Sequence, residues 1–190
     1  MAIEFELKYR ADETALENLR RDIAGEEQIF HMHTTYYDGI DDSLSAKKYT
    51  LRRRMENDVS VCTLKTPADG LGRREFEAKC DTIEEALPVL CKLSGVAELA
   101  SISLKEVCGA KFTRIAKTFT WQGATMELAL DHGELYGGGK TLPLCEVEVE
   151  LKEGSREAVL AYGAFLSAAY GLNPERASKF RRGLALYRGE

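Results

Sequence analysis

Along most of the chain, apolar residues alternate with polar ones at a period of two, the pattern of half-buried β-strands. Ile3, Phe5 and Leu7 interleave with Glu4, Glu6 and Lys8; Met126, Leu128 and Leu130 with Glu127, Ala129 and Asp131; Val147, Val149 and Leu151 with Glu146, Glu148 and Glu150. Runs of this kind predict strands over 2–10, 30–38, 47–56, 59–66, 73–80, 112–121, 124–131 and 143–152. Glycines at Gly70-Leu71-Gly72, Gln122-Gly123 and Gly137-Gly138-Gly139 sit where turns are needed. A helical period is confined to a few stretches. Over 12–24, Leu16, Leu19 and Ile23 share a face behind an Asp12 cap, and Gly25 is the stop. Over 82–94, Thr82-Ile83-Glu84-Glu85 forms a capping box, with Pro88 inside and Gly95 at the end. A short helix is expected over 97–108. The strongest helix spans 155–170, where Val159, Leu160, Ala164, Phe165 and Ala168 form a stripe closed by Gly171. The expected class is α+β: about eight antiparallel strands joined by short turns, closed into a barrel or strongly curved, with the helices outside.

The chain's 190 residues fit one domain, 1–190, and 44% hydrophobic content suffices for a core. A net charge of -5 disfavours nonspecific nucleic-acid binding. No apolar run approaches the roughly 18–20 residues that span a bilayer, and no basic start precedes an apolar stretch at the N-terminus, so no membrane partner is expected and the cytoplasm is the expected compartment. Cys62, Cys80, Cys91, Cys108 and Cys145 form no CxxC pair, which predicts reduced thiols rather than a disulfide framework or thiolate zinc site. His31 and His33 read as alternating exposure on a strand. Gly137-Gly138-Gly139-Lys140-Thr141 imitates the tail of a phosphate-binding P-loop, but Glu134 stands where the leading glycine belongs and a strand follows; a hairpin turn is expected there.

The charges change the picture because they segregate by sign. Carboxylates lie on the strands at 2–10, 124–131 and 143–152; cations lie on those at 47–56 and 59–66, where Arg52 and Arg54 share a face and Lys65 joins them. A solvated surface usually mixes signs, and stacked carboxylates repel unless a cation sits between them. A sheet closed with its apolar faces outward turns this pattern into a charged tunnel. Clustered carboxylate oxygens suit Mg²⁺ or Mn²⁺; Arg and Lys suit phosphate oxygens. Together they suit a metal–polyphosphate ligand.

The motifs then follow a known order. Glu4-Phe5-Glu6-Leu7-Lys8 is an ExExK pattern, Thr35-Tyr36-Tyr37-Asp38 a TYYD strand, Leu51-Arg52-Arg53-Arg54 an LRxR strand and Thr63-Leu64-Lys65 an xLK strand. Arg74-Glu75-Phe76, a basic strand at Arg114, a late aspartate at Asp131, Cys145-Glu146-Val147-Glu148-Val149-Glu150 and Ser178-Lys179-Phe180-Arg181-Arg182-Gly183 complete it. In this order and over essentially the whole chain, the sequence resembles the CYTH superfamily, the triphosphate tunnel metalloenzymes. The resemblance implies an eight-stranded antiparallel barrel whose bore holds a linear triphosphate. It implies Glu4, Glu6, Asp131, Glu146 and Glu148 as metal ligands, with Glu150 on the same face, and Arg52, Arg54, Lys65, Arg114 and Lys179 as phosphate clamps. Lys8, with Tyr36, is implied as the catalytic pair near the attacking water. Tyr37 competes with Tyr36 to face the tunnel, and Lys117 competes with Arg114. The implied reaction is metal-dependent hydrolysis of inorganic triphosphate to pyrophosphate and phosphate. The alternatives are class IV adenylyl cyclase chemistry on ATP, thiamine triphosphate hydrolysis and a binding module without turnover. The expected partner is a small-molecule triphosphate; a homodimer is compatible with the sequence.

Overall fold

The alternation becomes nine strands among the described residues, 5–68 and 73–190 of a computed structural model. They are β1 (Glu6–Arg10), β2 (Gln28–Gly39), β3 (Thr50–Glu56), β4 (Val59–Pro67), β5 (Arg73–Ala78), β6 (Leu104–Trp121), β7 (Ala124–Gly137), β8 (Lys140–Glu153) and β9 (Asn173–Pro174). The helices are α1 (Glu13–Asp22), α2 (Ser43–Ala46), α3 (Ile83–Ser94), α4 (Arg156–Tyr170) and α5 (Lys179–Arg188). The protein is α+β, and β1 with β8, β1 with β9, and β2 through β5 pair antiparallel. Glu4 and the expected turn at Gly70-Leu71-Gly72 lie outside the described residues.

Local chemistry explains most boundaries. Asp12 accepts a hydrogen bond from the Ala15 amide at the start of α1, Ser155 does the same for Ala158 in α4, and the Thr82–Glu85 capping box opens α3. Gly138 and Gly139 adopt φ of 58° and 73°, a two-residue turn joining β7 directly to β8. The glycine-rich stretch is therefore a hairpin, as expected, and no helix follows it.

Two stretches differ from expectation. The helix expected over 97–108 is only a 3-10 turn, Ala97–Ala100, and β6 begins at Leu104. Short apolar runs do not distinguish helix from buried strand by period. Here the run through Val107, Cys108 and Ala110 is buried as strand, and a Cβ on Gly109 would meet the Tyr136 ring at 2.2 Å. The second is α5, which the sequence hides because Gly183 lowers helix propensity at its centre. That glycine lets the helix approach β6: a Cβ there would lie 3.0 Å from the Cys108 sulfur. The two-residue β9 adds to the eight strands expected; it pairs with Tyr9 and Arg10.

The chain forms two compact units. The first comprises Met1–Phe30, Phe112–Glu134 and Pro143–Ser178. In it α1 and α4 pack on one sheet face, burying Leu16, Leu19, Val159, Tyr162 and Leu166 against Met126, Leu128, Leu130, Val147 and Val149. The second comprises His31–Lys111, Leu135–Leu142 and Lys179–Glu190. There α3 covers Leu51, Cys62, Leu64 and Ala78 with Ile83, Ala86 and Leu90. In each unit one strand face is taken by helices, so the intervening residues point to the other. Cys62 and Cys108 are buried free thiols; burial pushes Cys62 up to about 11 and Cys108 up to about 12. No described helix is long and apolar enough to cross a membrane.

Candidate functional site

In the first unit, Val147 and Val149 enter the core, which aims Glu146 and Glu148 at the opposite face of β8. The same parity on β7 places Leu128 and Leu130 in the core and leaves Asp131 on the other face. One ligand oxygen from each of Asp131, Glu146 and Glu148 lies within 4.8 Å of the others. Asp131 and Glu146 are fully buried. At an effective dielectric of about 20, two unit charges that far apart repel by roughly 3.5 kcal/mol. A cation is needed, and Arg114 of β6 supplies one. Its Nε donates to Asp131 Oδ1 at 2.7 Å and its Nη2 to Asp131 Oδ2 at 2.8 Å, while Nη2 also donates to Glu148. Burial alone would lower the guanidinium's pKa; the Asp131 and Glu148 carboxylates outweigh it and hold Arg114 well above its ordinary value.

An all-oxygen set of three carboxylates, with a guanidinium as stand-in cation, fits a hard divalent ion such as Mg²⁺ or Mn²⁺ and not a thiolate- or imidazole-seeking metal. β1 continues this face. Its register sets Glu6 opposite Glu150, Lys8 opposite Glu148 and Arg10 opposite Glu146, and residues opposite each other project to the same side. Lys8 Nζ lies 3.1 Å from Glu6 Oε1. Glu150 continues the same face further along β8, opposite Glu6, with Lys152 Nζ 2.7 Å from it.

The second unit carries the cation row. Register places Tyr36 opposite Arg52, Thr34 opposite Arg54, Arg52 opposite Thr63 and Lys65 opposite Glu75. All lie on the face away from Leu51, Leu64 and α3. Glu75 sits within ion-pair reach of both Arg52, at 3.5 Å, and Lys65, at 3.0 Å. Arg54 Nε donates to Thr34 Oγ1 at 3.3 Å. Among the described residues Arg52 Nε is buried with no hydrogen-bond partner. A buried donor without an acceptor is costly, and a planar guanidinium is shaped for phosphate. Lys179 is buried as the first residue of α5.

Each of the two competing pairs divides between opposite strand faces. Tyr36 lies on the arginine face, its ring 5.1 Å from that of Phe180; Tyr37 pairs with Leu51 and packs on the apolar core. Arg114 meets the carboxylates, whereas Lys117, three positions on and on the other face, donates to the Arg20 and Ile23 carbonyls at 2.5 and 2.8 Å and closes the end of α1. Two features escaped the sequence reading. Arg10 extends the Glu6–Lys8 face and pairs with the buried Glu175, whose amide donates to the Lys8 carbonyl at 2.7 Å. Continued alternation through Arg10 signals the first; nothing local signals Glu175.

A model of the CYTH domain family matches residues 2–184. The inorganic triphosphatase of Haemophilus influenzae is 30% identical over 167 residues, which cover 85% of this chain and 47% of that protein; the chain spans about half the length of this curated relative. Among solved structures, a candidate adenylyl cyclase from Hippeastrum, HpAC1, described as having a dominant triphosphatase activity, matches with a TM-score of 0.68 at 19% identity, over 100% of this chain and 96% of that one. A Pyrococcus horikoshii protein matches with a TM-score of 0.61 at 23% identity, over 94% and 97%. These two similarities show a shared fold.

Proposed function

The chain belongs to the CYTH domain family, and on that basis we propose that it hydrolyses a linear triphosphate with the help of a divalent metal ion, with inorganic triphosphate as the substrate and pyrophosphate and phosphate as products. The observation that carries the reading is the group of Asp131, Glu146 and Glu148 gathered on one face. A structural role does not require three carboxylates so close together; a metal site does. The Haemophilus influenzae relative supports the choice of substrate.

In this reading Asp131, Glu146 and Glu148 hold Mg²⁺ or Mn²⁺, with Glu6 and Glu4 completing the set. When bound there, the ion would supply charge neutralisation of the phosphate and polarisation of the phosphorus–oxygen bond. Arg52, Arg54, Lys65 and Lys179 bind phosphate oxygens, the unpartnered Arg52 Nε taking one directly. Phosphoryl transfer asks chiefly for positioning and charge stabilisation. Glu75, held between Arg52 and Lys65, keeps their spacing before substrate arrives. Lys8 and Tyr36 orient the attacking water and handle its proton.

The test is a product assay with tripolyphosphate, ATP, thiamine triphosphate and pyrophosphate, each with Mg²⁺, with Mn²⁺ and with EDTA. The expected result is phosphate release from tripolyphosphate that requires a metal and exceeds release from the others. Cyclic AMP from ATP as the main product, or turnover unaffected by EDTA, would overturn the proposal.

A further inference from the structure

Arg114 occupies a position that the metal also needs. Both Asp131 oxygens accept from it, and Glu148 accepts from it as well. These are two of the three clustered acids that the preceding reading assigns to the metal. A guanidinium and a divalent ion gripping the same carboxylates repel each other at close range, in a site where two of the three acids are fully buried and screening is weak. Conversely, with neither cation present the three acids repel one another.

We propose that Arg114 is an internal counter-ion that exchanges with the divalent metal. Without metal, it bridges Asp131 and Glu148 and holds the acidic group together. When the ion arrives, it takes over the carboxylates, and the released guanidinium becomes available to the anionic substrate. Metal and triphosphate are then thermodynamically coupled through one side chain: the ion frees a phosphate ligand, and phosphate draws the arginine away from the metal's oxygens. The length of Arg allows this, and its fork suits both carboxylate and phosphate. A fixed phosphate clamp has no need to be anchored bidentately on a carboxylate. The inference rests on the assignment of Asp131, Glu146 and Glu148 to the metal.

The experiment is calorimetric titration of the full-length protein with Mn²⁺ in the absence of any phosphate. Arg114→Gln, which removes the competing charge, is expected to bind Mn²⁺ about tenfold more tightly than wild type, within the common range of such couplings. Without metal, the same variant is expected to unfold at lower temperature than wild type, and Mn²⁺ is expected to raise its Tm by more. Equal or weaker Mn²⁺ affinity in Arg114→Gln overturns the exchange. A wild-type measurement covers the case in which the variant does not fold. By nuclear magnetic resonance, the Arg114 Nε proton is expected to be protected from solvent exchange in EDTA and to lose protection on saturation with Mg²⁺; unchanged protection overturns the exchange. The two readings fail differently. A wild type that binds Mn²⁺ and hydrolyses tripolyphosphate while Arg114→Gln binds no more tightly sinks only the exchange. A wild type that binds no metal sinks both.

Discussion

Arg114 grips Asp131 through two parallel hydrogen bonds, Nε to Oδ1 at 2.7 Å and Nη2 to Oδ2 at 2.8 Å. The pair joins adjacent strands β6 and β7 on the face opposite the helices, and Glu148 of β8 accepts from the same guanidinium. Such a bidentate, charge-assisted pair fixes orientation as well as distance. Substituting either side therefore separates the site's chemistry from its stability.

Asp131→Asn and Glu148→Gln keep the size of each side chain and remove a negative charge. Both are expected to lower metal-dependent tripolyphosphate hydrolysis by at least about 100-fold, on the scale of losing an electrostatic stabiliser of the transition state. Phosphate release at saturating Mg²⁺ and Mn²⁺ measures this, with circular dichroism as the check on folding. Full activity in either variant would remove it from the metal set.

Arg52→Ala is expected to raise KM and lower kcat together, because its guanidinium serves both the bound triphosphate and the charge that develops during transfer. Steady-state kinetics decide the point. A raised KM with unchanged kcat would restrict Arg52 to ground-state binding.

Tyr36→Phe and Tyr37→Phe form a matched pair. Tyr36 stands on the Arg52 face and Tyr37 on the Leu51 face. Loss of the Tyr36 hydroxyl is expected to reduce kcat, on the order of the 10²-fold contribution of a proton-handling group, whereas Tyr37→Phe is expected to leave kcat within about twofold, as for a substitution that removes no contact made only in the transition state. Comparable losses in both would show that face selection does not matter.

Lys117→Met tests a structural cation. Lys117 is only 5% exposed and binds the carbonyls of Arg20 and Ile23 at the end of α1. Its loss is expected to cost about 1.5–3 kcal/mol of stability, the range for hydrogen bonds to a charged group, with kcat preserved. Urea unfolding followed by circular dichroism reads the first quantity and the phosphate assay the second.

The buried thiols predict an alkaline limit. Cys62 and Cys108 have folded values pushed up to about 11 and about 12 from an ordinary 9.0, both by desolvation. The unfolded chain therefore gives up these protons first. Their contribution is fully present below about pH 9 and is lost as pH rises through the folded values. Urea midpoints are expected to fall between pH 8.5 and about 11 by more in wild type than in a Cys62→Ala/Cys108→Ala variant. At pH 8, a thiol reagent is expected to label these two last, because the thiolate is the reactive form. Rapid labelling of all five cysteines in the folded protein would contradict the burial assignment.

The face assignments were legible in the sequence because strand alternation is a local property. It separated Arg52 and Arg54 from Arg53, and Glu146 and Glu148 from Val147 and Val149, without reference to any distant residue. Caps and hairpins were legible for the same reason: Asp12, Thr82–Glu85 and the Gly138–Gly139 turn act within three or four residues. Local pattern stopped where a residue's role depends on a partner remote in the chain. Alternation puts Arg114 and Lys117 on opposite faces of one strand, but the sequence does not say which face meets the carboxylates. Tertiary packing sends one to Asp131 and the other to carbonyls 97 and 94 positions earlier. Helix α5 exists despite Gly183 because that glycine lets it pack onto Cys108, and Glu175 is buried because the chain returns beside β1. Periodicity determines which side of a strand a residue takes; only the approach of distant segments determines what it meets there.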